Sequence, residues 1–310
     1  MLYKMNKTLQ KMMPFIAPSS VIIGVIFAEG LAPLAYLVPW IFAFMTFAGS
    51  LSSNFIAIHR VMVHPFPIVI AVFLLHIVMP FWAWGVGVIT FPDDPLTVTG
   101  VVLAMVIPTG ITSFIWVSMV RGNIALTLSI ILVDTILSPL IVPGVLSIFI
   151  GQAVELEVWP IMKGLLGMIV LPSILGLILH EWTHGKIHEK WSPRLAPFSK
   201  ISLSLVIMIN SAAVAPYLKN FDSKLLRIAV IVFLIAASGY LLAWLVAKLT
   251  KRSKEDKIAL IFTGGMRNIS AGAVIAVQYF PPPVAVPVVI GMLFQQILAS
   301  IFGKIVGVWK

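Results

Sequence analysis

Apolar residues run along this chain in long unbroken blocks, not in the spaced stripes of a helix that is half in water. About ten blocks reach the roughly 17–25 residues that cross a hydrocarbon layer. They lie near 13–28, 34–51, 66–90, 97–119, 123–150, 160–180, 198–218, 225–247, 258–280 and 284–306. Lipid offers no hydrogen bonds to a backbone, so each block is predicted to be a helix. The first follows Lys4, Lys7 and Lys11 and could pass for a signal peptide, but apolar blocks continue along the chain, and it reads as the first membrane helix. The connection from Ser52 to His64 is mildly amphipathic and is predicted to lie on the membrane surface.

Two blocks are interrupted. The fourth contains Ile107-Pro108-Thr109-Gly110-Ile111-Thr112-Ser113, and the ninth contains Phe262-Thr263-Gly264-Gly265-Met266-Arg267-Asn268. Proline removes a backbone donor and glycine weakens helical preference, so both helices are predicted to break. The breaks occupy matching places if the chain divides into residues 1–150 and 151–310. Five helices per half is an odd number, so the second half would enter the membrane inverted. Paired Gly/Pro breaks in this arrangement point to a transporter with inverted repeats. A half-helix starting near the midplane presents unpaired N–H groups and a positive dipole end, which favour an anion. Thr109, Gly110, Thr112, Ser113, Thr263, Gly264, Gly265, Arg267 and Asn268 are therefore the candidate substrate-binding residues.

Composition and charge narrow the class. Sixty per cent of the 310 residues are apolar and 10% are charged, and the mean hydropathy is +1.07; a soluble domain of this length needs more charge to cover its surface. The net charge of +10 does not mark a nucleic-acid face, because the basic residues fall in short connections between blocks. Arg60, Arg121, Lys186, Lys190, Arg194, Lys200, Lys248, Lys251, Arg252, Lys254, Lys257, the basic N-terminal arm, Lys304 and Lys310 fall on one side. Lys163, Lys219, Lys224 and Arg227 fall on the other, with Glu29, Asp93, Asp94, Glu155, Glu157 and Asp222. The positive-inside rule places both termini in the cytoplasm, here of a bacterial or archaeal plasma membrane. The absence of cysteine excludes disulfides, thiol catalysis and iron–sulfur chemistry.

Asp134, mid-way along the fifth block, and Arg267, in the ninth, remain as charges inside the membrane. Each is costly at the bilayer centre unless paired or facing a wet cavity, and a functional site is the default reading.

The run Pro108-Thr109-Gly110-Ile111-Thr112-Ser113, followed by Arg121-Gly122-Asn123-Ile124-Ala125-Leu126, resembles the fourth and fifth helices of the bile acid:sodium symporter family. Gly265-Met266-Arg267-Asn268 is similar to that family's ninth-helix break, and Met79-Pro80 fits its third helix. The resemblance implies ten helices, a panel domain and a core domain, with the two broken helices crossing in the core. It implies alternating access for an organic anion, the family's substrates being bile acids and small carboxylates such as pantoate-like compounds.

The sodium positions depart from the family pattern. Its ninth-break glutamate is Thr263 here and its glutamine is Arg267. Its third-helix glutamine corresponds to Leu75, with His76 beside it, the asparagine after Ser113 is Phe114, and a fifth-helix threonine is Ile131. Only Ser113 and the hydroxyl of Thr127 survive. A guanidinium repels sodium, so these residues argue against sodium coupling. They suggest that Arg267 replaces a bound cation, held or balanced by Asp134. Asp134, Arg267, Ser113 and Thr127 are the candidate coupling residues, and a uniporter, an exchanger or proton coupling through Asp134 are the options. No resident cofactor or metal is called for.

His180-Glu181-Trp182-Thr183-His184 matches the zinc-protease pattern, with His188 one turn on. Three histidines on one continuous helix would span on the order of 12 Å, too far for one zinc, and the motif sits where a helix leaves the membrane. Asn210 and Ser211 interrupt the seventh block, and they, like Gln295 and Gln296, suit either a cavity lining or interhelical hydrogen bonds. The sequence therefore predicts an all-α membrane protein of about ten transmembrane helices in two inverted five-helix repeats, acting as a secondary transporter for a small or amphipathic organic anion. A zinc-dependent intramembrane protease and a non-transporting sensor with the same fold are the alternatives.

Overall fold

A computed structural model describes residues 2–52, 65–150, 157–219 and 222–307. Among these the chain is helical and forms no strand. The helices are α1 (Leu2–Ile26), α2 (Ala28–Ser50), α3 (Pro65–Thr90), α4 (Pro95–Val106), α5 (Thr112–Met119) and α6 (Ile124–Ile150), followed by α7 (Val158–Trp182), α8 (Lys186–Ala213), α9 (Ser223–Leu249), α10 (Lys254–Gly265), α11 (Ile269–Tyr279) and α12 (Pro282–Gly307). Eight stretches among the described residues are long and apolar enough to cross a membrane, with α10 and α11 counted as one. Phe15–Ile26 and Pro95–Val106 are shorter apolar helices, and they coincide with the first and fourth predicted blocks.

Helix starts follow local chemistry. The Asp94 carboxylate accepts from the Thr97 N–H (3.1 Å), Asp222 from Leu225 (2.7 Å), and the Ser253 hydroxyl from Asp256 (3.1 Å). Each satisfies an N–H that the first turn leaves orphaned. The prolines inside the long helices are also accommodated. Pro139 cannot donate to the Thr135 carbonyl four residues back, and the Ser138 hydroxyl does so instead at 2.8 Å. Pro80 and Pro172 each follow a π turn, Leu74–Val78 in α3 and Leu166–Val170 in α7.

Two groups of helices emerge from the packing. α1 and α8 lie along each other, α2 packs on both α7 and α8, and these four make one group. Close approach is built in at Gly24, where a Cβ would meet the Met208 carbonyl oxygen at 2.2 Å. The other group holds α3 against α4, α4 against α12, α9 against α10 and α12, and α11 against α12. α6 on α7 and α1 on α12 join the groups. Large apolar side chains face outward on both, with Ile89 83% and Ile148 79% exposed, as lipid-facing helices require.

Some boundaries move. α1 reaches back through the basic arm to Leu2, and α8 begins at Lys186, not near 198, so Lys200 sits inside a helix and donates to the Asn6 side chain and backbone. Asn210 and Ser211 do not interrupt α8, which runs on to Ala213. The expected surface segment from Ser52 falls, from residue 53 to 64, outside the described residues, as do Arg60, Glu155 and Lys310.

Candidate functional site

The fourth span stops at Val106 and resumes at Thr112, and the ninth stops at Gly265 and resumes at Ile269. The two breaks touch. Asn268 N–H donates to the Pro108 carbonyl at 2.7 Å, and the Thr109 hydroxyl donates to the Met266 carbonyl at 3.1 Å. A Cβ on Gly110 would lie 3.1 Å from the Arg267 carbonyl oxygen, so a small residue lets the two chains cross. Gly265 does the same on the other side, where a Cβ would meet the Tyr240 ring at 2.3 Å.

Arg267 is 3% exposed. Its Nε donates to the Met105 carbonyl at 2.8 Å, and Nη1 donates to the carbonyls of Gly264 (2.8 Å) and Met266 (3.3 Å). These oxygens belong to the last turn of α4 and to the last turn and cap of α10. Helix C-termini leave such carbonyls without partners and carry the negative end of the dipole. The guanidinium therefore sits where backbone oxygens converge in the manner of a cation site, and not at the N–H ends of α5 and α11. Its Nη2 has no hydrogen-bond partner among the described residues. The Arg267 N–H donates to the side-chain oxygen of Gln295 at 3.4 Å.

Asp134 is fully buried. One carboxylate oxygen accepts from the Thr109 N–H at 2.6 Å, and the other is bound to Nε2 of His76 on the π turn of α3. Of the expectation that Arg267 is held or balanced by Asp134, the structure shows no hydrogen bond between the two side chains. The partners of Asp134 are His76 and Thr109, and the guanidinium is satisfied by carbonyls. His76, which sequence reasoning named only as the neighbour of Leu75, is the third ionisable residue of the crossing. Its signal was available, because an imidazole in an apolar span is costly.

The remaining candidates divide. Thr109, Gly110, Gly264, Gly265, Arg267 and Asn268 lie at the crossing. Ser113 donates to the Gly110 carbonyl (2.8 Å), Thr263 to Ala259 (2.8 Å) and Thr127 to Asn123 (2.9 Å), each spending its hydroxyl on its own helix or turn. Thr112 begins α5 beside Gly110. At the far end of α5, Asn123 caps α6 through the Leu126 N–H (3.0 Å). Its side-chain amide donates to Asp256 (2.8 Å) and its backbone N–H to the Glu255 carbonyl (3.0 Å), tying this turn to the start of α10.

Gln296 accepts from the Trp116 indole at 3.2 Å, which accounts for it as an interhelical hydrogen bond. Asn210 and Ser211 are buried, and their side chains have no hydrogen-bond partner among the described residues. The His-Glu-x-x-His reading is also corrected. α7 ends at Trp182, and the chain turns through His184 (φ 49°) and Gly185 (φ 79°), so the histidines do not share one helix. His180 Nδ1 is bound to the Leu51 carbonyl (2.7 Å) and His188 Nδ1 to Ser192 (3.0 Å). No group of three metal-binding side chains occurs among the described residues.

Known proteins are similar to this chain in sequence. The profile described as the sodium bile acid symporter family matches residues 39–221. The uncharacterized protein YbaS of Bacillus subtilis is 56% identical over 94% of this chain and 95% of its own length. The uncharacterized sodium-dependent transporter YocS of the same organism is 26% identical over 76% of this chain and 72% of its own length. A probable chloroplastic sodium/metabolite cotransporter of rice, BASS1, is 24% identical over 68% of this chain and 50% of its own length. The family is one of transporters, which leaves the protease alternative without support. The chain is an integral membrane protein and belongs to the sodium/bile acid symporter family, acting as a transporter of a small molecule and not as an enzyme.

Proposed function

We propose that this chain is a secondary transporter of a small or amphipathic organic anion that works without sodium, because Arg267 supplies the cation. The observation that carries the reading is the guanidinium donating to the carbonyls of Met105, Gly264 and Met266 at the C-terminal ends of α4 and α10. Backbone oxygens at the ends of broken membrane helices are the groups that coordinate a coupling cation in such folds. With a tethered guanidinium there, a sodium ion finds its oxygens taken and a positive charge in place. The names of YocS and BASS1 include sodium; Thr263 and Arg267 are where this chain parts from that pattern.

In this reading residues 1–150 and 151–310 form inverted five-helix repeats. The group α1, α2, α7 and α8 moves against the rest, exposing the crossing to each side in turn. The first turns of α5 and α11, with Thr109, Thr112, Ser113 and Asn268, receive the anion. The basic connections put both termini in the cytoplasm of a bacterial plasma membrane.

Reconstituted vesicles test the reading. A panel of labelled organic anions is offered with external sodium or potassium at equal ionic strength. Uptake of one panel member at equal rates in both salts, and its loss in Arg267→Gln, is the expected result. Uptake that requires sodium contradicts it.

A further inference from the structure

Building on the resident-cation reading, we infer that the coupling ion is a proton, bound by the His76–Asp134 pair. Asp134 Oδ2 accepts the Thr109 N–H at 2.6 Å, and its Oδ1 faces Nε2 of His76. With Asp134 taken as a carboxylate, both of its oxygens accept, so the inferred tautomer carries the ring hydrogen on Nε2 and leaves Nδ1 as a bare lone pair. Nδ1 is buried, on a side chain 2% exposed, and has no partner among the described residues. It is therefore the open proton-accepting atom of the crossing. A proton from the aqueous phase binds there; the Nε2–H bond to Asp134 and the Thr109 contact persist, and no other bond breaks.

Charge balance links this proton to the anion. Arg267 and ionised Asp134 cancel when His76 is neutral, and a low-dielectric site tolerates that state. A proton on Nδ1 leaves one uncompensated positive charge, which an organic monoanion cancels. Proton and anion then bind together and leave together, one for one. The pair is wired to both breaks, through Thr109 N–H to the fourth span and through the Thr109 hydroxyl to Met266 of the ninth.

The titratable groups on the surrounding elements do not compete. α4 and α5 carry none. Lys254, Glu255, Asp256 and Lys257 lie in the first turn of α10, on the order of 15 Å of helix away from its break. Lys163 of α7 is exposed over the Trp159 ring. Tyr240 of α9 packs on Gly265 and Phe262, and its hydroxyl makes no hydrogen bond among the described residues. His180 and Glu181 lie in the last turn of α7, Lys224, Arg227 and Lys248 lie toward the ends of α9, and Arg267 is the other charge at the crossing.

Nitrogen-15 histidine spectra of the purified full chain in detergent test this without a substrate, with His76→Gln used to assign the signal. The wild-type ring is expected to pass from neutral at pH 8.5 to protonated at pH 5.5. At an intermediate pH, Asp134→Asn lowers the ratio of protonated to neutral ring about tenfold, since the partnering carboxylate is gone. Arg267→Gln raises that ratio at least threefold, because a positive charge of the crossing is removed. A single His76 form across the whole range overturns the proton site, and this wild-type result stands whether or not the variants fold. A titrating His76 that ignores Arg267→Gln overturns its link to the crossing. The resident-cation reading fails separately, on sodium preference in the vesicle experiment.

Discussion

Nε of Arg267 donates to the Met105 carbonyl at 2.8 Å, so a side chain from the break of the ninth span closes the open end of α4. This contact explains how two helices can stop inside a membrane. The carbonyls that α4 and α10 leave unpaired would each cost free energy in hydrocarbon, and one guanidinium satisfies three of them. On the proposed reading, a site filled from within has no need of a metal ion from outside.

The close fit at Gly265 gives a stability prediction. A methyl group there would stand 2.3 Å from the Tyr240 ring, which is itself stacked on Phe302 with centroids 4.4 Å apart. Gly265→Ala is expected to destabilise the chain by about 1–3 kcal/mol, the usual cost of overpacking. A fluorescence-detected melting curve in detergent measures it. An unchanged melting temperature would mean that the crossing is looser than described.

Ser138 holds the α6 backbone beside Pro139. Ser138→Ala leaves the Thr135 carbonyl with neither its N–H partner nor the hydroxyl. Membrane hydrogen bonds of this kind are worth about 0.6 kcal/mol on average and up to about 1.7. The expected loss is in that range, read as a small drop in melting temperature, with Ser147→Ala as a comparison at the next proline turn, where the hydroxyl bonds to the Pro143 carbonyl.

Outside the membrane, Asp94 caps α4 and pairs with Lys224 at 2.7 Å. Burial pushes its carboxyl up, but hydrogen bonds from Lys224 and Thr97 more than offset this and hold it below the ordinary 3.8. A depressed folded value means that the stabilisation is present above pH 3.8 and is lost as pH falls below it. Both partners are partly exposed, so the effect is about 1 kcal/mol or less. Asp94→Asn is expected to lower the melting temperature slightly at pH 7, where the stabilisation is present, and to flatten the fall at the acid end of a pH 3–6 series.

Much of this site was legible from sequence because its features are costly. Pro108-Thr109-Gly110 and Gly264-Gly265 interrupt apolar blocks for which a broken helix is the simplest account, and Asp134 and Arg267 stand out as charges in lipid. What the sequence did not reveal was direction. An arginine at a break reads as help for an anion at a helix N-terminus, whereas here it turns back toward the carbonyl ends. His76 was passed over for a related reason. A π turn at Leu74–Val78 shifts the helix face by about one residue, so counting along a regular helix cannot tell whether Leu75 or His76 meets Asp134. Helix ends were misjudged where polarity and structure diverge, as over Lys186–Lys200, a stretch that is rich in basic residues yet helical.

The most direct test of the central claim needs no substrate. The thermal stability of the purified chain is compared in sodium chloride, potassium chloride and choline chloride at equal ionic strength, beside Arg267→Gln. A ligand that binds only the folded state raises stability by mass action. The wild type is expected to show no cation preference, and Arg267→Gln is expected to melt lower and to be stabilised by sodium, because its carbonyls are then free. Sodium-specific stabilisation of the wild type would contradict the account, since it would place a bound ion where Arg267 is held to stand in for one.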